Sequence, residues 1–292
     1  MGRADKTTVT ATLSSTASCR ERALKSISRL PPFSPVLNKL IASLADDNVS
    51  FGDLAALVEK DTVLAGNVLR LVNSALYARR GTVNSVRHAV SILGLAKLRN
   101  AAMTWSVARM WSSHKYPQGW SASHFNLHSV AAAVLSDLLA IETKVEYAEG
   151  AFAAGLLQNV GMLLEVTGLP DEFAEVRKLY LDGRGSWVDC ERNLLGLDHA
   201  ELSAETLKQW NLPAPIVAAV RAHHTPADPM TLACMVQTAD LAVEVLGVPV
   251  QEWHKPIDSS AEELLAAIGL ADQAESILLN FRAEYEALRE FF

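Results

Sequence analysis

The sequence predicts an all-α protein. Three observations carry this reading. Apolar residues recur at spacings of three, four and seven in run after run. Each run is bounded by capping residues, glycine or proline. No apolar-polar alternation is long enough for a sheet strand, and there is no βαβ rhythm.

The elements follow in order. Pro31-Pro32 breaks the chain, Ser34 caps a helix with Pro35 at its first position, and Leu37, Leu40, Ile41 and Leu44 form one apolar face. Ser50 and Asp53 stand three apart before Leu54 and Leu57, close to a capping box with Asp in the Glu position. Asp61 caps the next helix, through Val63, Leu64, Val68, Leu71 and Val72. Ser85 caps a short one carrying Val86, Ala89, Val90 and Leu93, ended by Gly94; Leu95 to Trp111 makes another. In the second half the runs fall at about 121–141, 149–165, 171–182, 186–195, 199–210, 213–224 and 229–246. After a polar stretch with Pro249 and Pro256, two more fit at 261–268 and 272–290.

The chain has 292 residues, half of them apolar and a fifth charged. That allows one large domain or two small ones with an ample core. Cys19, Cys190 and Cys234 lie far apart with no CxxC. This excludes a disulfide framework or a Cys-rich zinc site and suits a reducing cytoplasm. Residues 1–18 are polar, lack the apolar core of a signal peptide, and read as a disordered lead-in. No apolar run reaches the roughly 18 residues of a membrane span, so no membrane partner is expected.

The net charge of −7 hides a division. Residues 1–120 carry 16 basic and 7 acidic side chains, and the remainder 10 and 26. Between Asp61 and Asp137 there is no acidic residue, while Arg70, Arg79, Arg80, Arg87, Lys97, Arg99, Arg109 and Lys115 are basic. Such asymmetry reads as opposite lobes facing each other, as a surface for nucleic acid or another anion, or as a membrane surface. Trp105, Trp111 and Tyr116 sit at helical spacing, as core residues do, rather than as base-stacking platforms. The seam at 112–120 coincides with the charge change and marks either a subdomain boundary or a turn within one bundle.

The chemistry lies in the histidines, since there is no GxGxxG, Walker loop, GxSxG or HExxH. Helices build metal sites by aiming His and Asp inward from facing segments. Candidates are His128, His199, the pair His223-His224, and Asp240. His124 and His128, four apart, share a face that serves either ligation or packing. Adjacent His223 and His224 point about 100° apart on a helix, so only one is expected to face a common site. Asp240, among Val236, Ala239, Leu241 and Val243, needs a partner: a cap, or a bond to His223 or His224.

These residues resemble a family. Leu30-Pro31-Pro32, Asp61 through Leu71-Val72-Asn73-Ser74-Ala75-Leu76-Tyr77, His88-Ala89-Val90-Ser91-Ile92-Leu93-Gly94-Leu95 and Leu98-Arg99-Asn100 look like an HDOD domain, the HD-related output domain of bacterial signalling proteins. Ala153-Ala154-Gly155-Leu156-Leu157-Gln158-Asn159-Val160-Gly161 resembles the segment that holds the His-Asp pair of HD metal-dependent phosphohydrolases. Asp198-His199-Ala200-Glu201, Trp210-Asn211-Leu212-Pro213 and His223-His224 resemble the segments that follow. The likeness covers roughly 25–245.

The resemblance implies a two-lobed helical bundle at 19–250, its basic lobe ending near 118 and an acidic HD-like lobe after it, with a helical extension at 251–292. It also implies a degenerate pocket of His128, Gln158, Asn159, His199, His223, His224 and Asp240. Gln158-Asn159 stands where the enzymes have His-Asp. A neutral amide is a weak oxygen donor in place of an imidazole nitrogen, and Asn removes the charge that bridges two ions. No catalytic residue, resident metal or cofactor is therefore expected. The expected function is a regulatory module that acts on a protein partner, with a small anionic ligand or nucleotide in the pocket. No receiver or cyclase segment is recognisable, so input would come from that partner or ligand. The apolar stripe Phe281, Tyr285, Leu288, Phe291 and Phe292 serves either a partner or homodimer surface, or the protein's own core. The alternatives are a divergent phosphohydrolase and a nucleic-acid-binding regulator using 62–136.

Overall fold

Helices are the sole regular structure among the described residues of the computed structural model, which are 4–28, 35–43, 50–77, 81–112 and 114–292. The expected features at Leu30-Pro31-Pro32, Ser34, Leu44, Arg79 and Arg80 lie outside them.

The first half holds α1 (Ala4–Ile27), α2 (Pro35–Ala42), α3 (Phe51–Glu59), α4 (Thr62–Val72), α5 (Val86–Leu93) and α6 (Leu95–Trp111). The caps are those the sequence signals. Ser50 and Asp53 close a reciprocal box, Asp61 accepts from the Val63 and Leu64 amides, and Ser85 accepts from His88. Leu37, Leu40, Leu64, Val68, Ala89 and Val90 are buried, whereas Val63 stands in solvent. Asn73 clips the chain after α4: its amide donates to the Val83 carbonyl at 2.8 Å and its oxygen accepts from the Val83 amide at 2.8 Å.

The second half holds α7 (Ala122–Thr143), α8 (Ala151–Leu157), α9 (Val160–Gly168), α10 (Pro170–Leu181), α11 (Trp187–Leu195), α12 (His199–Gln209), α13 (Ala214–Ala222), α14 (Leu232–Val245), α15 (Ala261–Ala267) and α16 (Ala274–Arg289). Helix α7 is the axis, packed on α8, α14 and α16. Its length and composition would suffice to cross a membrane, but most of it is buried here by protein. Ala131, Ala132 and Ala133 let α8 come close, and a Cβ on Gly155 would stand 2.8 Å from the Ala132 carbonyl oxygen.

Two expectations change. The single run at 149–165 is two helices, broken at Gln158-Asn159, where Asn159 leaves helical geometry at φ −100°, ψ 11°. Residues 4–18, expected to be a disordered lead-in, belong to α1. Its polar composition hides an anchored end: Cys19, Ala23 and Ile27 are buried, and Arg20 bonds Glu201 of α12 and the Gly196 carbonyl. This basic-half helix therefore packs on α9, α11 and α12 of the acidic half.

Much of the acid-free stretch is engaged within the chain. Arg109 pairs with Asp61 at 2.8 Å, Arg87 with Glu59 at 3.7 Å, and Lys97 with Glu284. The Arg70 guanidinium lies 4.0 Å over the Phe291 ring. The C-terminal stripe folds back on the protein: Phe281, Tyr285 and Leu288 are buried, and the Phe291 ring packs tilted against Trp105 with centroids 4.9 Å apart. Trp105 and Trp111 are core residues, as their spacing predicts.

Gly161 has a specific packing role. A Cβ there would meet the His199 carbonyl oxygen at 2.2 Å, and its amide donates to Ser203 Oγ at 2.8 Å. Gly161→Ala should destabilise the chain by about 1–3 kcal/mol in urea unfolding, as an overpacked contact. Gly66, exposed on α4 with nothing near its missing Cβ, should give the opposite sign: Gly66→Ala should add about 0.5–1 kcal/mol.

Where α6, α7 and α16 meet, Asp137 accepts from the Asn100 amide at 3.3 Å. Burial, helped by Glu284 and opposed by Arg99 and Lys97, pushes its carboxyl from 3.8 up to about 6. The fold thus favours the protonated acid, and ionisation removes stability as pH rises from the unfolded value through about 6. Asp137→Asn should raise the Tm at pH 7.5, with the gain shrinking toward zero as the pH falls to 4. A gain that grew on acidification would contradict this.

Candidate functional site

The break after α8 sets the site. Because α8 stops at Leu157, Gln158 and Asn159 turn inward toward α7 and α14, and both are buried. His128 comes from mid-α7 and Asp240 from mid-α14. Asp240 Oδ1 faces His128 Nε2 at 2.9 Å, accepts from Gln158 Nε2 at 2.6 Å and lies 3.4 Å from Asn159 Nδ2. The other ring nitrogen of His128, Nδ1, lies 2.8 Å from the Val248 carbonyl oxygen. A carbonyl oxygen only accepts, and an ionised carboxylate only accepts, so His128 donates from both nitrogens as an imidazolium. Burial opposes that charge, but the hydrogen bond and charge of Asp240 outweigh it and raise the His128 pKa above its ordinary value. Burial likewise works against the Asp240 charge, yet the same bond holds its carboxyl below the usual range. The partner of Asp240 is therefore His128, rather than the cap or the bond to His223 or His224 that were expected. Those rings add attraction from a greater distance.

A second group adjoins the first. His199 opens α12 behind its Asp198 cap. Its Nδ1 sits 2.8 and 2.9 Å from the two carboxylate oxygens of Glu191, which also accepts from the His199 amide and the Trp187 indole. His199 Nε2 meets His224 Nε2 at 2.8 Å. His223 Nδ1 donates to the Val220 carbonyl at 2.7 Å, and its Nε2 is buried without a partner. Both members of the adjacent pair face His199, against expectation. The reason is local: α13 ends at Ala222, His223 is its C-cap, and His224 lies beyond it, so the 100° spacing of a continuing helix does not apply. Burial holds His223 down to about 4, helped by His199. Burial, then His223 and His199, lowers His224 further. His199 is raised: burial opposes its charge, and Glu191 outweighs it.

His124, the other half of the spaced pair, turns away toward Glu252 at 3.6 Å. Behind His199 lies Glu165, wholly buried beside Glu191. Burial and the Glu191 charge push its carboxyl well above the usual range, so it keeps its proton. Neither glutamate was singled out in the sequence, where each reads as one acid among many.

A cavity of about 240 Å³ opens over both groups, with Asn159, His199, His224 and Asp240 on its floor. Its walls are aromatic: Trp187, Tyr180 and His254, with Lys255 at the rim. The segment after α14 straps this mouth, fixed by Gln251 bonded both ways to the Ser121 backbone and by the Trp253 indole on the Gly119 carbonyl. Gln158 and Asn159 present N–H donors to Asp240 Oδ1 and His128 has no lone pair left, while the Gln158 and Asn159 oxygens, buried without partners, are neutral and weak donors, a poor set for a metal. The three clustered imidazoles do offer donors.

The sequence pattern of the HDOD domain matches residues 30–226. The crystal structure of an HDOD domain protein of unknown function from Geobacter sulfurreducens superposes with a TM-score of 0.74 at 25% identity, covering 92% of this chain and 97% of that one. A protein from Shewanella amazonensis SB2B described as a candidate phosphohydrolase gives 0.70 at 24% identity, over 91% and 98%. An uncharacterized protein of Treponema pallidum (strain Nichols) is 22% identical over 277 residues, 89% of this chain; the chain spans about half, 51%, of that protein.

The Asp240 pairing predicts a stability cost. Asp240→Asn should destabilise the chain by about 3–5 kcal/mol in denaturant unfolding, because it strands a buried imidazolium. His128→Leu combined with Asp240→Leu should recover much of that loss. A single-variant cost below 1 kcal/mol would contradict the ion pair.

Proposed function

The chain belongs to the HDOD domain family, and from that premise we propose that it is a non-catalytic regulatory module. The observation that carries the reading is the saturation of Asp240 Oδ1 by N–H donors from His128, Gln158 and Asn159. Metal-dependent hydrolysis of a phosphoester needs a cation that polarises the ester and lowers the pKa of a bound water. At this set the imidazolium and two amides supply the positive end of that electrostatic balance from within the protein. The remaining polar floor and aromatic walls suit recognition of a small anionic ligand with an apolar face. Binding there would act on the strap and on α10 and α11, which carry the cavity walls, and would pass a change of state to a protein partner. Three buried free thiols suit a reducing compartment, consistent with a cytoplasmic role.

The full chain should show no turnover of phosphomonoesters, nucleotides or cyclic dinucleotides with Mn²⁺, Fe²⁺, Mg²⁺ or Ni²⁺, measured by product chromatography. Metal-dependent turnover that disappears in Asp240→Asn would replace this reading with a divergent phosphohydrolase.

A further inference from the structure

We propose that α1 is a docking strut whose position is coupled to the cavity, with Arg20 as the positioning residue that sets the turn between α11 and α12. The coupling follows from geometry; its use in signalling rests on the proposed regulatory role. Three residues, Gly196 to Asp198, join the two helices. Glu191 lies just before them and His199 just after, so this turn fixes how the Glu191 carboxylate meets the His199 ring at 2.8 and 2.9 Å. Helix α1 grips the turn from outside. Arg20 Nη1 donates to the Gly196 carbonyl at 2.7 Å and to Glu201 Oε2 at 3.1 Å, and Nη2 donates to Glu201 Oε1. One guanidinium thus bridges the carbonyl end of α11 and a carboxylate in the first turn of α12. Gly196 stands at φ +75°, and a Cβ there would meet Thr16 Cγ2 of α1 at 2.8 Å. The contact therefore needs a bare backbone on one side and a planar fork on the other.

From the turn the route to the cavity is short. Glu191 also accepts from the Trp187 indole. Trp187 is a wall of the cavity and His199 is on its floor. The Trp187 ring lies 4.8 Å from that of Trp253, in the strap across the mouth. Releasing α1 frees Gly196 and Glu201, loosens the Glu191–His199 contact and moves floor and wall together. The turn does not come apart, because Arg192 of α11 holds Asp198 at 2.8 Å. Arg20 and Glu201 are both partly exposed. A pair of that kind is weakly stabilising, so a partner that takes hold of α1 can break it without unfolding the chain. The coupling is reciprocal: a ligand that shifts Trp187 or His199 also shifts the docking of α1.

The test is nitrogen-15 spectroscopy of the full chain, with the Trp187 indole signal identified by its loss in Trp187→Phe. Arg20→Lys keeps the charge and removes the fork. It should displace the Trp187 indole signal and speed its exchange with solvent about fivefold, the factor one such pair can supply. Lys25→Ala, on the same helix but paired within it to Glu21, should leave the signal in place. Glu201→Gln, from the other side of the pair, should reproduce the Arg20→Lys change, and it decides if Arg20→Lys fails to fold. In both variants the His128 ring signals should stay in place and the Tm should fall by less than about 4 °C. In the reverse direction, Trp187→Phe should speed amide exchange in residues 16–27 more than in 274–289. An indole signal unmoved by Arg20→Lys and Glu201→Gln, one displaced only together with the His128 signals, or α1 exchange unchanged in Trp187→Phe would overturn the coupling. Such a failure would leave the regulatory reading in place, whereas phosphoester turnover would remove that reading and leave the coupling.

Discussion

A carboxylate buried in a helical core must be paired, and the pairing of Asp240 fixes the centre of this protein. Its partner reaches from α7, the axis of the bundle; two more donors come from the break between α8 and α9; and the far side of His128 is tied to the Val248 carbonyl beyond α14. Three segments distant in sequence, α7, the α8–α9 break and α14 with the turn after it, are thus held by one oxygen and one ring. Charge pairs of this kind add little net stability over an apolar core, because desolvation offsets their attraction. Their effect is specificity: each alternative packing of α7 against α14 leaves a charge unpaired.

That lock also underlies the proposed role of the pocket. An arrangement of His, Asp and two further polar side chains around a void is ordinarily a place for a cation. Here Asp240 Oδ1 takes hydrogens on nitrogen, and the positive charge is an imidazolium. A few ångströms away the opposite solution holds. His199 and His223 have one ring nitrogen each committed, to Glu191 and Val220, and the Nε2 atoms of His199 and His224 meet at 2.8 Å. One cavity therefore borders a group paired around Asp240 Oδ1, in which the Gln158 and Asn159 oxygens stay without partners, and a group of three imidazoles.

Much of this was legible in the sequence. Helix starts were readable from Ser50, Asp61 and Ser85, because capping is local and needs no tertiary information. The grouping of the candidates was readable from the order of the motifs: Asn159, His199, His224 and Asp240 line one cavity, and His128, Gln158 and His223 touch those residues from behind. What escaped reading depends on long-range placement. Glu191 and Glu165 become special only because α9, α11 and α12 meet around His199. The one local hint was Trp187 four residues before Glu191, which places an indole donor beside a carboxylate. His223-His224 was misjudged because a helix end was taken for helix interior. Residues 4–18 were misjudged because the burial that anchors α1 lies in its last turns.

The protonation of His128 tests the central claim most directly. Nitrogen-15 spectra of histidine-labelled protein at pH 6–8 should show the His128 ring, identified by its loss in His128→Gln, protonated on both nitrogens and unmoved by Mn²⁺ or Zn²⁺. A neutral His128 ring, with a bare nitrogen that shifts or broadens when either metal is added, would contradict the account.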